Sequence, residues 1–283
     1  MVDNGFILQS GVYGLRAILT AEWSEALGHQ LLHEDIVELE LNYAKGWKGN
    51  DIGFLSSLPD LAAVTVIDWT LDDVRPIHVL HKLRTLEIST YCKTEIDFAT
   101  FPQLEDCALE WRPKAISIFD CKTLKKLFVN HYNLHETELF GRLTGLEELA
   151  ILNAPVKNLL GLSRLHRLRK LRLAGLRGLT SLKGVESLVN LEELDINTCR
   201  KIRSIKEIGN LTRLRKLYLN DNGKIQSIKP IDELRHLESV LFYGSTEFVD
   251  GDLSPLTRQE HLTKVSFQNR HHYSHSRDEL GVA

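Results

Sequence analysis

The sequence predicts an α/β solenoid, in which short parallel strands stack along one face and 3₁₀ or irregular arcs return along the other. Three observations carry this expectation: one apolar template that recurs through most of the 283 residues, a change of apolar period inside the copies, and charged columns that alternate in sign once the copies are set in register.

The template is L-x-x-L-x-L with conservative replacements. Its copies start at Ile36, Leu61, Leu83, Leu104, Leu124, Leu146, Leu168, Leu191, Leu214, Leu237 and Leu262. These eleven starts lie 20 to 25 residues apart, and the four steps from Leu146 to Leu237 are 22, 23, 23 and 23. A fixed period of this length is the signature of a stacked repeat, since no single unit can bury its leucine face alone.

Within a copy such as Leu191-Glu-Glu-Leu194-Asp-Ile196 the apolar residues end in strict alternation, the pattern of a strand with one buried face. The spacing then changes to three, as in Ile202, Ile205, Ile208 and Leu211, which suits 3₁₀ turns better than an α-helix. About a dozen residues separate consecutive strands, so the strands run parallel.

Position 2 of eight consecutive copies reads Arg84, Glu105, Lys125, Glu147, Arg169, Glu192, Arg215 and Glu238, alternating without a break. Position 3 alternates likewise from Asp106 through Lys126, Glu148, Lys170 and Glu193 to Lys216. In a parallel stack these residues are lateral neighbours, so opposite charges face each other only in this register.

The copies resemble the leucine-rich-repeat family over residues 36 to 268, and those from Leu146 to Leu237 are most similar to its short bacterial, internalin-like and protein-phosphatase-regulator types. The resemblance implies a right-handed curved solenoid with its parallel sheet on the concave face and short arcs on the convex face. It also implies binding of a protein partner through the concave face or its rim. At position 9 the family places an asparagine that serves turn backbone groups. Here only Asn222 complies, with Cys199 a common substitute. The other copies carry Ala44, Trp69, Tyr91, Arg112, Tyr132, Ala154, Leu176, Ser245 and Arg270, so the hydrogen-bond ladder along that edge is expected to be broken.

The repeat leaves residues 1–35 as an N-terminal cap, 36–268 as a solenoid of about 11 units and 269–283 as a flexible C-terminal tail. GLRAILTAEW over 14–23 reads as a cap strand, with an amphipathic helix over 15–32 as the alternative. The tail holds His271, His272 and His275, a metal-ligating residue type without fixed geometry, so no metal is expected there.

A net charge of -3 argues against a nucleic-acid partner. The start MVDNGFILQSG has no signal-peptide pattern and no apolar run is long enough to span a membrane, so a cytoplasmic protein without membrane association is expected. Cys92, Cys107, Cys121 and Cys199 have neither metal-site nor disulfide-framework spacing. GxxxxGK[ST], GxSxG and HExxH are absent, and neither an enzyme nor a cofactor is expected.

Side chains at positions 3, 5, 7 and 8 are expected to face solvent. In the first five copies these include Glu38, Glu40, Tyr43, Asp68, Glu87, Glu110, Trp111, Phe128, Asn130 and His131, an acidic and aromatic set that suits a basic protein partner. Trp69, Tyr91 and Tyr132 either extend this set along the edge or turn inward. Asp195, Tyr218 and Tyr243 form a second, smaller group. The expected function is a monomeric, non-catalytic protein-binding module. The alternatives are an immunity-type inhibitor of a basic toxin or nuclease and a surface or secreted internalin-like adhesin.

Overall fold

The computed structural model describes residues 5–280, so the first four residues of the expected cap and the last three of the tail lie outside the described residues. The chain divides into two compact units, residues 1–126 and 127–283.

The first unit opens with a hairpin of β1 (Phe6–Ser10) and β2 (Leu15–Leu19), paired antiparallel. β2 falls inside the segment read as a cap strand. A short helix α1 (Glu25–Leu32) follows, its first turn capped by the Ser24 hydroxyl, which accepts from the Leu27 amide at 3.2 Å. Four repeat strands come next: β3 (Glu38–Asn42), β4 (Ala63–Ile67), β5 (Thr85–Ser89) and β6 (Asp106–Glu110). From β2 to β6 each strand pairs parallel with the next, so β1 is the one antiparallel member of this unit's sheet.

The second unit carries β7 (Lys126–Asn130), β8 (Glu148–Leu152), β9 (Lys170–Ala174), β10 (Glu193–Asn197) and β11 (Lys216–Asn220). A two-residue strand β12 (Lys224–Ile225) and β13 (Ser239–Phe242) come next, then β14 (Glu247–Phe248), helix α2 (Ser254–Thr257) and β15 (Lys264–Phe267). β8 to β11, β13 and β15 are parallel neighbours in that order, and β12 pairs with β14. All eleven template copies thus contribute one strand, and each strand begins two residues after the start of its copy.

The core follows from the template. Leu191, Leu194 and Ile196 are fully buried, as are Ile202, Ile205, Ile208 and Leu211 on the return path. The period-three segments fold as 3₁₀ turns such as Lys206–Asn210. Close stacking of these turns needs glycine at Gly184, whose φ of 110° is left-handed and whose missing Cβ would strike the Leu159 carbonyl of the preceding repeat.

The charge columns form as their signs require. Glu193 sits in register between Lys170 and Lys216, and Arg169 meets Glu192 through two bonds of 3.0 Å. Arg215 donates twice to Glu238 Oε1, at 2.9 and 2.6 Å, and in the first unit Glu105 accepts from both Arg84 and Lys125.

The flexible tail expected from residue 269 is corrected by the structure through residue 280. Tyr273 packs its ring against Phe242 and Phe267, its hydroxyl accepts from the Phe248 amide, and the Ser274 amide bonds the Gly251 carbonyl at 2.8 Å. A single aromatic residue in a polar stretch thus packs on the last apolar layer, which a periodicity reading does not register.

Candidate functional site

In the first unit, the repeat pattern places Glu38, Glu40 and Glu87 on the exposed side of the strands, yet what lies over that side differs from strand to strand. Contrary to expectation, Glu38 is fully buried: the turn between β1 and β2 folds across β3. The Glu38 carboxylate accepts from the Tyr13 amide and from Arg16 at 2.6 and 2.8 Å. Tyr13 reaches further, its hydroxyl 3.0 Å from Thr85 Oγ1 on β5 and its ring under the Arg84 guanidinium at 4.8 Å. Glu40 is buried too, with Asn42 Nδ2 and Lys45 Nζ donating to it at 3.1 and 2.9 Å.

Glu87 is half-buried on β5. Burial pushes its pKa up, the charges of Glu40 and Asp106 push the same way, and a 3.4 Å bond from Thr65 opposes them.

Two position-8 residues also depart from expectation. Asp68 is buried and caps its own turn, accepting from the Thr70 amide and hydroxyl at 2.6 and 2.7 Å. Trp111 is only 8% exposed and packs on Phe119 of the following 3₁₀ segment, ring centroids 5.7 Å apart. At this position the chain is already turning off the strand, so a large ring can enter the turn core. Glu110, at the end of β6, is half-buried, and Tyr43 is 53% exposed.

The aromatic surface of the first unit lies one residue further on. Trp69 and Tyr91, at position 9 of consecutive repeats, are 37% and 70% exposed with ring centroids 4.7 Å apart. Tyr132, at the same position in the second unit, turns fully inward against Phe140, so the two outcomes left open by the sequence are divided among the three rings.

In the second unit Phe128 projects from β7 at 36% exposure. Asn130 accepts from Asn153 Nδ2 at 2.9 Å, and exposed His131 takes a left-handed φ of 55° as its amide bonds the Leu152 carbonyl. Of the smaller group, Asp195 lies in register beside Tyr218, pairs with Arg172 at 3.4 Å and has its pKa raised by burial. Tyr243, 39% exposed, bonds the Ser266 hydroxyl.

The position-9 ladder, expected to hold at Asn222 and Cys199 and to break elsewhere, is kept at two further positions. Asn222 accepts from the Cys199 amide at 2.9 Å and donates to the Ile196 carbonyl at 2.7 Å, while Thr246 accepts from the Asn222 amide. Arginine takes the asparagine role twice. Buried Arg112 donates to the Cys92 and Thr90 carbonyls, and Arg270 to those of Gly244 and Thr246. A guanidinium carries five donors and can span two carbonyls of the preceding repeat, a substitution that family patterns do not advertise.

His272 Nε2 lies 3.1 Å from the Phe248 carbonyl and His275 Nδ1 2.8 Å from the Ser274 hydroxyl, so both rings are engaged within the chain. Among the described residues no group of three or more His, Cys, Asp or Glu side chains is placed to hold a metal ion, and no helix is long and apolar enough to cross a membrane.

No protein-family model matches the sequence, and no curated protein matches it significantly. Solved structures do. An internalin of Listeria monocytogenes superposes with a TM-score of 0.63 at 17% identity, over 79% of this chain and 67% of that one. Internalin C2 of the same organism gives 0.51 at 19% identity, over 75% and 83%. A plant peptide hormone receptor, RGFR1, solved in complex with RGF2, gives 0.51 at 15% identity, over 93% and 52%. The likeness at these identities is one of architecture: the chain has the leucine-rich-repeat solenoid fold.

Proposed function

We propose that the protein is a non-catalytic interaction module whose first unit binds a basic protein partner. The observation that carries this reading is the pairing of acidity with exposed aromatic surface in one unit. Residues 1–126 hold twelve Lys and Arg against nineteen Asp and Glu, and residues 127–283 hold twenty-three against nineteen. The same acidic unit presents the Trp69–Tyr91 pair at its surface. Exposed Trp and Tyr are the side chains that anchor interfaces most often, and a negative field speeds encounter with a basic partner. The anchor is placed on the strand-end edge rather than on β3, because Tyr13 and Arg16 already occupy Glu38.

The peptide hormone receptor complex supports a protein or peptide as the ligand class. Four cysteines that are all buried and unbridged suit a reducing cytoplasm. A narrower version is inhibition of a basic toxin or nuclease, which the acidity of the first unit favours. The internalin likeness favours the adhesin reading, and cell fractionation separates it from the cytoplasmic one. The test of the proposal is replacement of Trp69 and Tyr91 by alanine, which abolishes partner capture if the edge is the binding site.

A further inference from the structure

On the return side of the second unit, three consecutive repeats carry the same tripeptide pattern, Ser181-Leu-Lys183, Ser204-Ile-Lys206 and Ser227-Ile-Lys229. Each serine hydroxyl accepts from the amide of its lysine, at 3.1, 3.3 and 3.0 Å, so the three lysines hold equivalent places. The 3₁₀ turns that follow them pack against one another from repeat to repeat. All three side chains are exposed, and among the described residues none has a carboxylate within ion-pair distance.

Equivalent places elsewhere are built differently. In the first unit the capping position is filled by Asp51 and Asp73, and Asp73 also pairs with Arg75 at 2.6 Å. At Asp73 the cation two residues on is neutralised by its own cap, and at Asp51 the residue two on is Gly53, so neither place leaves a free positive charge. Serine performs the same capping without neutralising anything. The strand-side columns of these same repeats alternate in sign, whereas this column repeats one sign, an arrangement that opposes stacking. With a neutral cap, this like-charge ladder of three repeats leaves its charge open to a group outside the fold.

We infer that Lys183, Lys206 and Lys229 form a docking strip for an acidic, extended peptide segment of a partner protein. A shallow groove of about 470 Å³ runs beside Lys206 and Lys229, lined also by the Asn210 and Gln226 amides, which suit a peptide backbone. Its wall includes Asp232, held by Arg258, and Glu233, and no aromatic side chain. The lack of a ring removes the stacking platform that single-stranded nucleic acid uses. Carboxylates on alternate residues of an extended segment lie on one side, as a row of lysines requires.

The test is fluorescence anisotropy with a labelled (Glu-Ser)6 peptide at low ionic strength, on the full chain and on Lys183→Ser/Lys206→Ser/Lys229→Ser. Binding by the parent chain, at least fivefold weaker in the triple variant and lost in high salt, is expected. Equal binding by both proteins overturns the inference, as does tighter binding of a twelve-residue oligothymidylate than of the peptide. Thermal melting gives an independent readout. The triple variant melts at the same or a higher temperature, because only a like-charge column is removed, and a lower midpoint would show that the lysines serve the fold.

Discussion

Arg16 is the cation that lets Glu38 sit wholly out of water beneath the β1–β2 turn. Such a pair adds little over an apolar one, but removing one partner strands the other, typically at a cost of ~3–5 kcal/mol. Arg16→Met is therefore expected to lower the unfolding free energy by about 3 kcal/mol in a urea titration. Glu87 behaves oppositely. Its pKa is raised chiefly by burial, so the unfolded chain releases this proton at lower pH than the folded protein does. The stability contribution falls as pH rises from the unfolded value, about 4.3, through the folded one. Glu87→Gln removes that loss: it should raise the thermal midpoint at pH 7 and lose the advantage below about pH 4. An unchanged midpoint at pH 7 would show that the Glu87 charge is not held at a cost. At this scale the sequence told inward from outward wherever only the strand pattern decided, as in Leu194 against Asp195. It misplaced Glu38 and Glu40 because exposure there depends on what lies across the strand. The covering element, FILQS and the four-residue turn after it, has no periodic signature of its own.

The repeat itself is the element in which local pattern and packing agree most closely. Each copy yields one strand, and most are followed by a period-three return, in the uneven early repeats as in the regular later ones. What the template left open was how each repeat satisfies its turn backbone. Asn222 does so as an inward-turned amide with no exposed atoms, serving Cys199 and Ile196 at once. Asn222→Ala leaves a buried amide and a buried carbonyl unpaired, so a loss of about 3 kcal/mol is expected. Hydrogen exchange should locate the effect, with the Cys199 amide losing protection while that of Leu171, two repeats away from Asn222, keeps it. Arg112 and Arg270 perform the same task and were unreadable as such, because nothing in a sequence distinguishes an arginine folded back onto carbonyls from one in solvent. Tyr132 and Trp69 make the same point: one position holds a buried ring in one repeat and an exposed ring in another, according to the space that the following turn leaves.

Over the whole molecule, charge is divided between the two units, acidic in residues 1–126 and basic in 127–283, although the total of -3 conceals it. That division was present in the sequence from the outset, but it acquires meaning only when the unit boundary is known. The expected basic partner now rests on the Trp69–Tyr91 edge and the acidity of the unit that carries it, in place of Trp111, whose removal would test packing on Phe119 instead of binding. The central claim is tested most directly by affinity purification from native lysate with the parent chain and with Trp69→Ala/Tyr91→Ala, both verified as folded by circular dichroism. The account predicts that the parent retains one stoichiometric protein of basic isoelectric point, eluted by moderate salt, and that the double variant retains at least tenfold less of it. Equal recovery from both chains, or an acidic protein as the stoichiometric partner lost in the variant, would contradict it.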